Sequence, residues 1–264
     1  MAEETQYTAK TGLVTISTAN PNLDGTGTIT TVIRSGSNGA LIKAVTVKAI
    51  QNTTAGVVRL FINNTSSKVL LKEILVPAIT KAASRPTFQT TLVLNFELKA
   101  GYELMAATEN AESFNIIAET LEWVYYAPSV RTDTTMYHTK LGYGLPNTAN
   151  SNLDGTGTLT SVYSAGSSLT YKGSSLTSII IKADDTLTTP GMVRLFIYNG
   201  TTKFLYTEVV VLGVKPSGSD LSFTHEIDFE NNFELQADYQ IFASTENAEE
   251  FDITVTGNDW DYVP

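Results

Sequence analysis

Apolar and polar side chains alternate one for one through much of this chain. In Lys43-Ala44-Val45-Thr46-Val47-Lys48, Val45 and Val47 fall on one side of an extended backbone and Thr46 and Lys48 on the other. Successive side chains of a strand point to opposite faces, so this period predicts a half-buried antiparallel strand. The run extends over residues 41–50. Similar runs cover residues 14–18, 28–34, 57–62, 69–76, 88–96, 102–108 and 114–126. Turn residues separate them: Asp24-Gly25, Ser35-Gly36-Ser37-Asn38-Gly39, Asn63-Asn64-Thr65 and Ala100-Gly101. No stretch holds a helical period for a dozen residues. Only Thr108-Glu109-Asn110-Ala111-Glu112 suits a single helical turn, with Thr108 as its cap.

The whole succession then recurs. Asn22-Leu23-Asp24-Gly25-Thr26-Gly27-Thr28 returns as Asn152-Leu153-Asp154-Gly155-Thr156-Gly157-Thr158. Val58-Arg59-Leu60-Phe61-Ile62 returns as Val193-Arg194-Leu195-Phe196-Ile197, and Thr108-Glu109-Asn110-Ala111-Glu112 as Thr245-Glu246-Asn247-Ala248-Glu249. The offset is 130 from Asp24 to Asp154, 135 from Arg59 to Arg194 and 137 from Trp123 to Trp260. Copy two therefore carries two short insertions, near Tyr171-Lys172-Gly173 and Lys215-Pro216-Ser217. A period this long is a whole domain, not a solenoid unit. Eight strands in roughly 120 residues suit a β-sandwich, and the jelly roll is the first eight-stranded candidate. The expected fold is all-β: two tandem antiparallel, jelly-roll-like sandwiches related by internal duplication. Residues 11–126 form repeat 1 and residues 142–264 repeat 2. The polar residues 1–10 read as an N-terminal arm, and residues 127–141, with Pro128, as a linker.

Composition narrows the function. The chain has 264 residues, no cysteine and a formal net charge of −10. Disulfides and thiolate metal sites are excluded. Acidity argues against a nucleic-acid surface, which needs a basic patch. No apolar run has the length of a membrane span, and no secretory signal core is expected.

The repeated motifs offer little catalytic chemistry. Calcium needs six or more oxygen ligands, and Asn22-Leu23-Asp24-Gly25-Thr26-Gly27-Thr28 supplies one carboxylate. A tight turn is expected, with Gly25 and Gly27 at positive φ and Asp24 bonded to nearby backbone. Glu109 and Glu112, with Glu246 and Glu249, could be a glycosidase carboxylate pair or a hydrogen-bonded turn. Asn110 or Asn247 in the left-handed region would give that turn a specific geometry. Trp123 and Tyr125, matched by Trp260 and Tyr262, could form a subunit interface, a ligand platform or core and edge packing. Arg59 and Arg194 interrupt apolar strands and are expected to point outward or to meet a carboxylate near the surface. His138 and His225 lack partners for a triad or a metal site. No catalytic residue, metal or cofactor is expected.

The NLDGTGT segment, the strand with VRLFI and its Asn-rich hairpin, and AGYELMAATENAESFNIIA occur in that order. The combination resembles small β-sandwich virion proteins of tailed bacteriophages, encoded among head genes and proposed to decorate or reinforce the capsid. In copy one it rests on Asp24, Gly25, Gly27, Arg59, Phe61, Gly101, Tyr102, Thr108, Asn110, Ala111, Glu112 and Phe114. Copy two has Asp238 where copy one has Gly101. The resemblance implies a non-enzymatic virion component, made in the host cytoplasm and bound outside the head. Its partners would be the major capsid protein or other virion proteins. It would be a homo-oligomer, with a trimer as the expected closed form. A double-jelly-roll major capsid protein, or a carbohydrate- or receptor-binding virion module, are the alternatives.

Overall fold

The computed structural model describes residues 6–124, 134–184, 187–217 and 220–263. The strands of copy one are β1 (Gln6–Ile16), β2 (Thr30–Arg34), β3 (Ala40–Ala49), β4 (Gly56–Asn63), β5 (Lys68–Val76), β6 (Gln89–Leu98), β7 (Glu103–Thr108) and β8 (Phe114–Val124). Those of copy two are β9 (Thr134–Gly144), β10 (Thr160–Ser164), β11 (Gly173–Ala183), β12 (Gly191–Tyr198), β13 (Lys203–Val211), β14 (Thr224–Leu235), β15 (Gln240–Thr245) and β16 (Phe251–Val263). All pairings between them are antiparallel. Copy one forms sheets β1-β8-β3-β6 and β2-β7-β4-β5, and copy two forms β9-β16-β11-β14 and β10-β15-β12-β13. The first strand lies beside the last and the second beside the seventh, which is the jelly-roll order of two Greek keys.

Inward residues of both sheets fill each sandwich. Val45 and Val47 of β3 meet Val58 and Leu60 of β4 and Ile116 of β8, all fully buried. Copy two repeats this with Ile179, Ile181, Val193, Leu195 and Ile253. Alternation therefore marks the core-facing side correctly in both copies.

Two boundary expectations give way to strand pairing. Residues 6–10 begin β1 instead of belonging to a free arm; residues 1–5 lie outside the described residues. Tyr7 packs its ring 5.0 Å from that of Trp123, and Lys10 Nζ lies 2.5 Å from Glu122 Oε1. Residues 134–141 likewise start β9 instead of a linker, and Lys140 Nζ lies 2.8 Å from Asp259 Oδ2. Residues 127–133 lie outside the described residues. Both segments look polar because their charges are matched by the neighbouring strand, a pairing that composition does not reveal. Thr108 to Glu112 form a bend rather than a helical turn. Asp238 keeps the turn of Gly101: their φ angles are 69° and 76°.

Candidate functional site

The outward face of the β1-β8-β3 strands is covered by β13 and β14 of copy two. β3, expected to be half-buried, is thus enclosed on both sides. Lys48 sits on the outward side and is fully buried, with its Nζ 2.9 Å from Glu208 Oε2 and 3.2 Å from the Thr87 carbonyl it donates to. Glu208 Oε2 also accepts from the Thr87 N–H (2.9 Å) and hydroxyl (2.8 Å), and Glu208 Oε1 accepts from Arg194 Nε (3.2 Å). Arg194 donates on to the Asn150 carbonyl at 3.2 Å and to Glu246 at 3.1 Å. One carboxylate thus joins a lysine of copy one to an arginine of copy two. Burial disfavours both charged forms. It lowers the Lys48 pKa. At Glu208, burial is outweighed by the Lys48 charge and the Thr87 bonds, which hold the carboxyl below its ordinary value.

A second polar contact lies further along β3. Lys43 Nζ donates to the carbonyls of Asn231 (2.8 Å) and Asn232 (3.0 Å) and stands 3.4 Å from Glu234 Oε1. Glu119 of β8 shares this buried space. Burial pushes its carboxyl up to about 7; Lys43 opposes the rise and the Glu234 charge adds to it. Burial raises Glu234 as well. Apolar contact completes the junction. Ile117 and Leu13 of copy one pack into the core of copy two, and Ile50 packs beside Leu153, Phe196 and Leu205. The junction makes the chain one two-lobed block.

The repeated motifs hold loops in place. Gly25 and Gly27 adopt φ of 81° and 77°, and Asp24 Oδ1 accepts from the Thr26 N–H (3.0 Å) and hydroxyl (2.7 Å), as the sequence predicts. These bonds hold the Asp24 carboxyl below its ordinary value. At the centre lies buried Asn20, which sequence reasoning passed over. Its Nδ2 donates to the carbonyls of Thr26 and Thr28, both at 2.9 Å, and Asn150 does the same to Thr156 and Thr158. The signal was available: Asn20 and Asn150 share the 130-residue offset of Asp24 and Asp154.

In the second motif, Glu112 Oε1 accepts from the Thr54 N–H at 2.7 Å, and Glu249 Oε1 accepts from the Thr189 N–H at 2.8 Å. Asn110 Nδ2 donates to Thr54 and Ala55, and Asn247 Nδ2 to Thr189 and Pro190. The carboxylates and amides clasp the loop before β4 or β12. Neither asparagine adopts positive φ, since side-chain bonds, not a left-handed residue, set the geometry. Arg59 and Arg194 are buried under the turn with a carboxylate, not turned outward. Arg59 Nε lies 3.1 Å from Glu73 Oε1, the counterpart of the 3.2 Å contact from Arg194 to Glu208.

The four aromatic candidates occupy different surroundings. Trp260 is 5% exposed and lies at the junction beside Glu234. Tyr262 lies 5.8 Å from the Trp260 ring, and its hydroxyl donates to the Tyr7 carbonyl at 2.7 Å. Trp123 is half-buried against Tyr7, and Tyr125 lies outside the described residues. His138 packs edge-on against Tyr171, and His225 is exposed on β14. Among the described residues no group of three or more His, Cys, Asp or Glu could hold a metal ion.

No protein-family model matches the sequence, and no curated protein matches it. Among solved structures the chain is similar to the STIV MCP, with 11% identity over 94% of this chain and 96% of that one, at a TM-score of 0.26. It is similar to the major capsid protein P2 from bacteriophage PM2, with 13% identity over 96% and 98% of the two chains, at 0.20. It is also similar to the PBSX exported protein XepA, with 11% identity over 97% and 86%, at 0.21. Identity and superposition this low assign no function.

Proposed function

We propose that the chain is a non-enzymatic structural component of a virus particle, bound as an auxiliary protein to the outside of a phage head. The observation that carries this reading is the junction. Two duplicated jelly rolls are locked by the buried Lys48–Glu208–Arg194 contact, while the repeated carboxylates are engaged in clasping loops. A block of this kind acts through the surface it buries, and a stable contact buries on the order of 1,000 Å² or more. The sequence resemblance to phage head proteins points the same way. The net charge of −10 suits an exterior position better than contact with packaged DNA. Its partners would be the major capsid protein and further copies of itself, with a trimer as the closed form.

The jelly-roll order of both halves favours a second reading, in which the chain builds the shell itself. Mixing purified chain with emptied heads separates the two. Saturable binding to heads, with no particles formed by the chain alone, supports the auxiliary role. Closed shells formed by the chain alone support the second reading. Trp260, buried at the junction, offers no stacking face to a sugar, which weighs against a glycan-binding role.

A further inference from the structure

The junction uses one face of copy one and a different face of copy two. Duplication therefore leaves each face with a counterpart that the chain does not cover. The register fixes these counterparts. Ala49 N–H bonds the Phe88 carbonyl and Ala183 N–H bonds the Phe223 carbonyl, both at 2.9 Å. Lys182 thus stands where Lys48 stands, and Ser222 where Thr87 stands. Arg59 lies opposite Glu73 on β4 and β5 as Arg194 lies opposite Glu208 on β12 and β13. Glu73 is therefore the counterpart of Glu208.

The two sets differ in exposure. Glu208 has a side chain 1% exposed, whereas that of Glu73 is 46% exposed and still held by Arg59. Lys48 is buried and Lys182 is exposed, with no hydrogen-bond or ion-pair partner among the described residues. The apolar positions follow suit. Leu153 is buried at the junction, while its counterpart Leu23 is 52% exposed. Leu13 packs against copy two, while its counterpart Tyr143 on β9 is 73% exposed and stands near the exposed Leu141. One uncovered face thus carries Lys182, Ser222 and apolar side chains, with Asp252 across from Lys182 on the neighbouring strand. The other carries an arginine-held glutamate and apolar side chains.

We infer that these two faces bind each other between copies of the chain. Copy two of one molecule would receive copy one of the next, with Glu73 entering between Lys182 and Ser222 as Glu208 enters between Lys48 and Thr87. This deepens the reading of the chain as an assembling structural protein and rests on it. The partner is a second copy because the complementary surface is already written on the same chain, in the geometry of the internal junction. The contact is head-to-tail, and such contacts close into rings or continue as filaments. It is weaker than the internal junction, because Thr177 replaces Lys43 and Thr256 replaces Glu119 on the copy-two face.

The test is self-association of the purified full chain. Light scattering and sedimentation over rising concentration should show masses at whole multiples of 28.6 kDa. Lys182→Glu, and separately Glu73→Gln, should each weaken association by roughly thirtyfold, the effect of about 2 kcal/mol at a buried charge pair. Lys182 is exposed, and the glutamine of Glu73→Gln keeps a side-chain oxygen that accepts from Arg59, so both variants keep the fold. Carbodiimide treatment of a mixture of isotope-labelled and unlabelled chain should give a Glu73–Lys182 cross-link of mixed label. A chain that stays at 28.6 kDa, an assembly that neither substitution weakens, or a mixture without the mixed-label link overturns the inference. The virion reading is tested apart. Assembly through these faces by a chain absent from purified particles would overturn that reading and leave this inference standing. A monomeric chain found in particles would do the reverse.

Discussion

Arg59 with Glu73 and Arg194 with Glu208 are the same pair made twice, at 3.1 and 3.2 Å, on equivalent strands. In copy one the glutamate borders solvent. In copy two it lies under copy one, where it also takes the Lys48 ammonium. Local sequence sets the geometry of the pair, and the neighbouring domain sets its energetic weight. In copy one the arginine is buried, but its carboxylate partner borders solvent and Arg59 keeps Glu109 at 3.8 Å, so the loss of Glu73 is the smaller one. Removing one partner of a buried pair costs about 3–5 kcal/mol, because the remaining charge is left in low dielectric. Glu208→Ala should therefore destabilise the chain by about 3–5 kcal/mol in urea denaturation. Glu73→Ala, at concentrations where the chain is monomeric, should cost less, about 1–2 kcal/mol, because Arg59 is buried but keeps Glu109 and the Asn20 carbonyl. Equal losses would mean that the two pairs are not distinguished by burial.

The lysines sharpen the same contrast from the other side. Lys48→Met leaves Glu208 with Arg194 and Thr87, so the expected loss is smaller, about 1–3 kcal/mol. Lys182→Met, on the uncovered face, should stay within about 0.5 kcal/mol. The loop asparagines supply the control, because their bonds stay within one copy. Asn20→Ala and Asn150→Ala each leave two carbonyls without their partner and should each cost about 1–3 kcal/mol. Losses differing by more than about 1 kcal/mol between the two would show that copy two stabilises loops as well as pairs.

Much of the fold was legible. Seven of the eight strand runs of copy one coincide with strands, because in each the side facing the core is apolar and the ends carry turn residues; the run 14–18 meets only the end of β1. The duplication itself was legible from three motifs and their offsets. The junction was not. Alternation places Lys48 outward, and that is where it points. Nothing in a two-residue period says that another domain covers the outward face. Arg59 and Arg194 were legible in part. A carboxylate partner was one of the two expectations and both have one, Glu73 and Glu208 on the adjacent strand, but their burial was not legible because it is set by the turn folded over them. Asn20 was readable from its repeat at Asn150, since the offset alone marks it.

The last contrast concerns Glu119, a site that copy two does not share. Glu119 lies at the junction beside Glu234, where its counterpart on the copy-two face is Thr256. Its folded pKa of about 7 stands above the ordinary 4.5. Between those values the folded chain holds a proton that the unfolded chain has released, so stability falls as pH rises through that window and levels off above about 7. Glu208 has the opposite sign. Its carboxyl is held below the ordinary value, so its contribution is present above 4.5 and is lost as pH falls through its folded value. Stability should therefore decline on both sides of a mildly acidic optimum. Glu119→Gln should flatten the decline on the high-pH side and leave the low-pH side unchanged, as read by melting temperature across a pH series. It should also melt higher than the parent at about pH 8, where the parent carries the buried charge, and close to the parent at about pH 5. A variant with the parent's slope on the high-pH side would place the titrating group elsewhere than at Glu119.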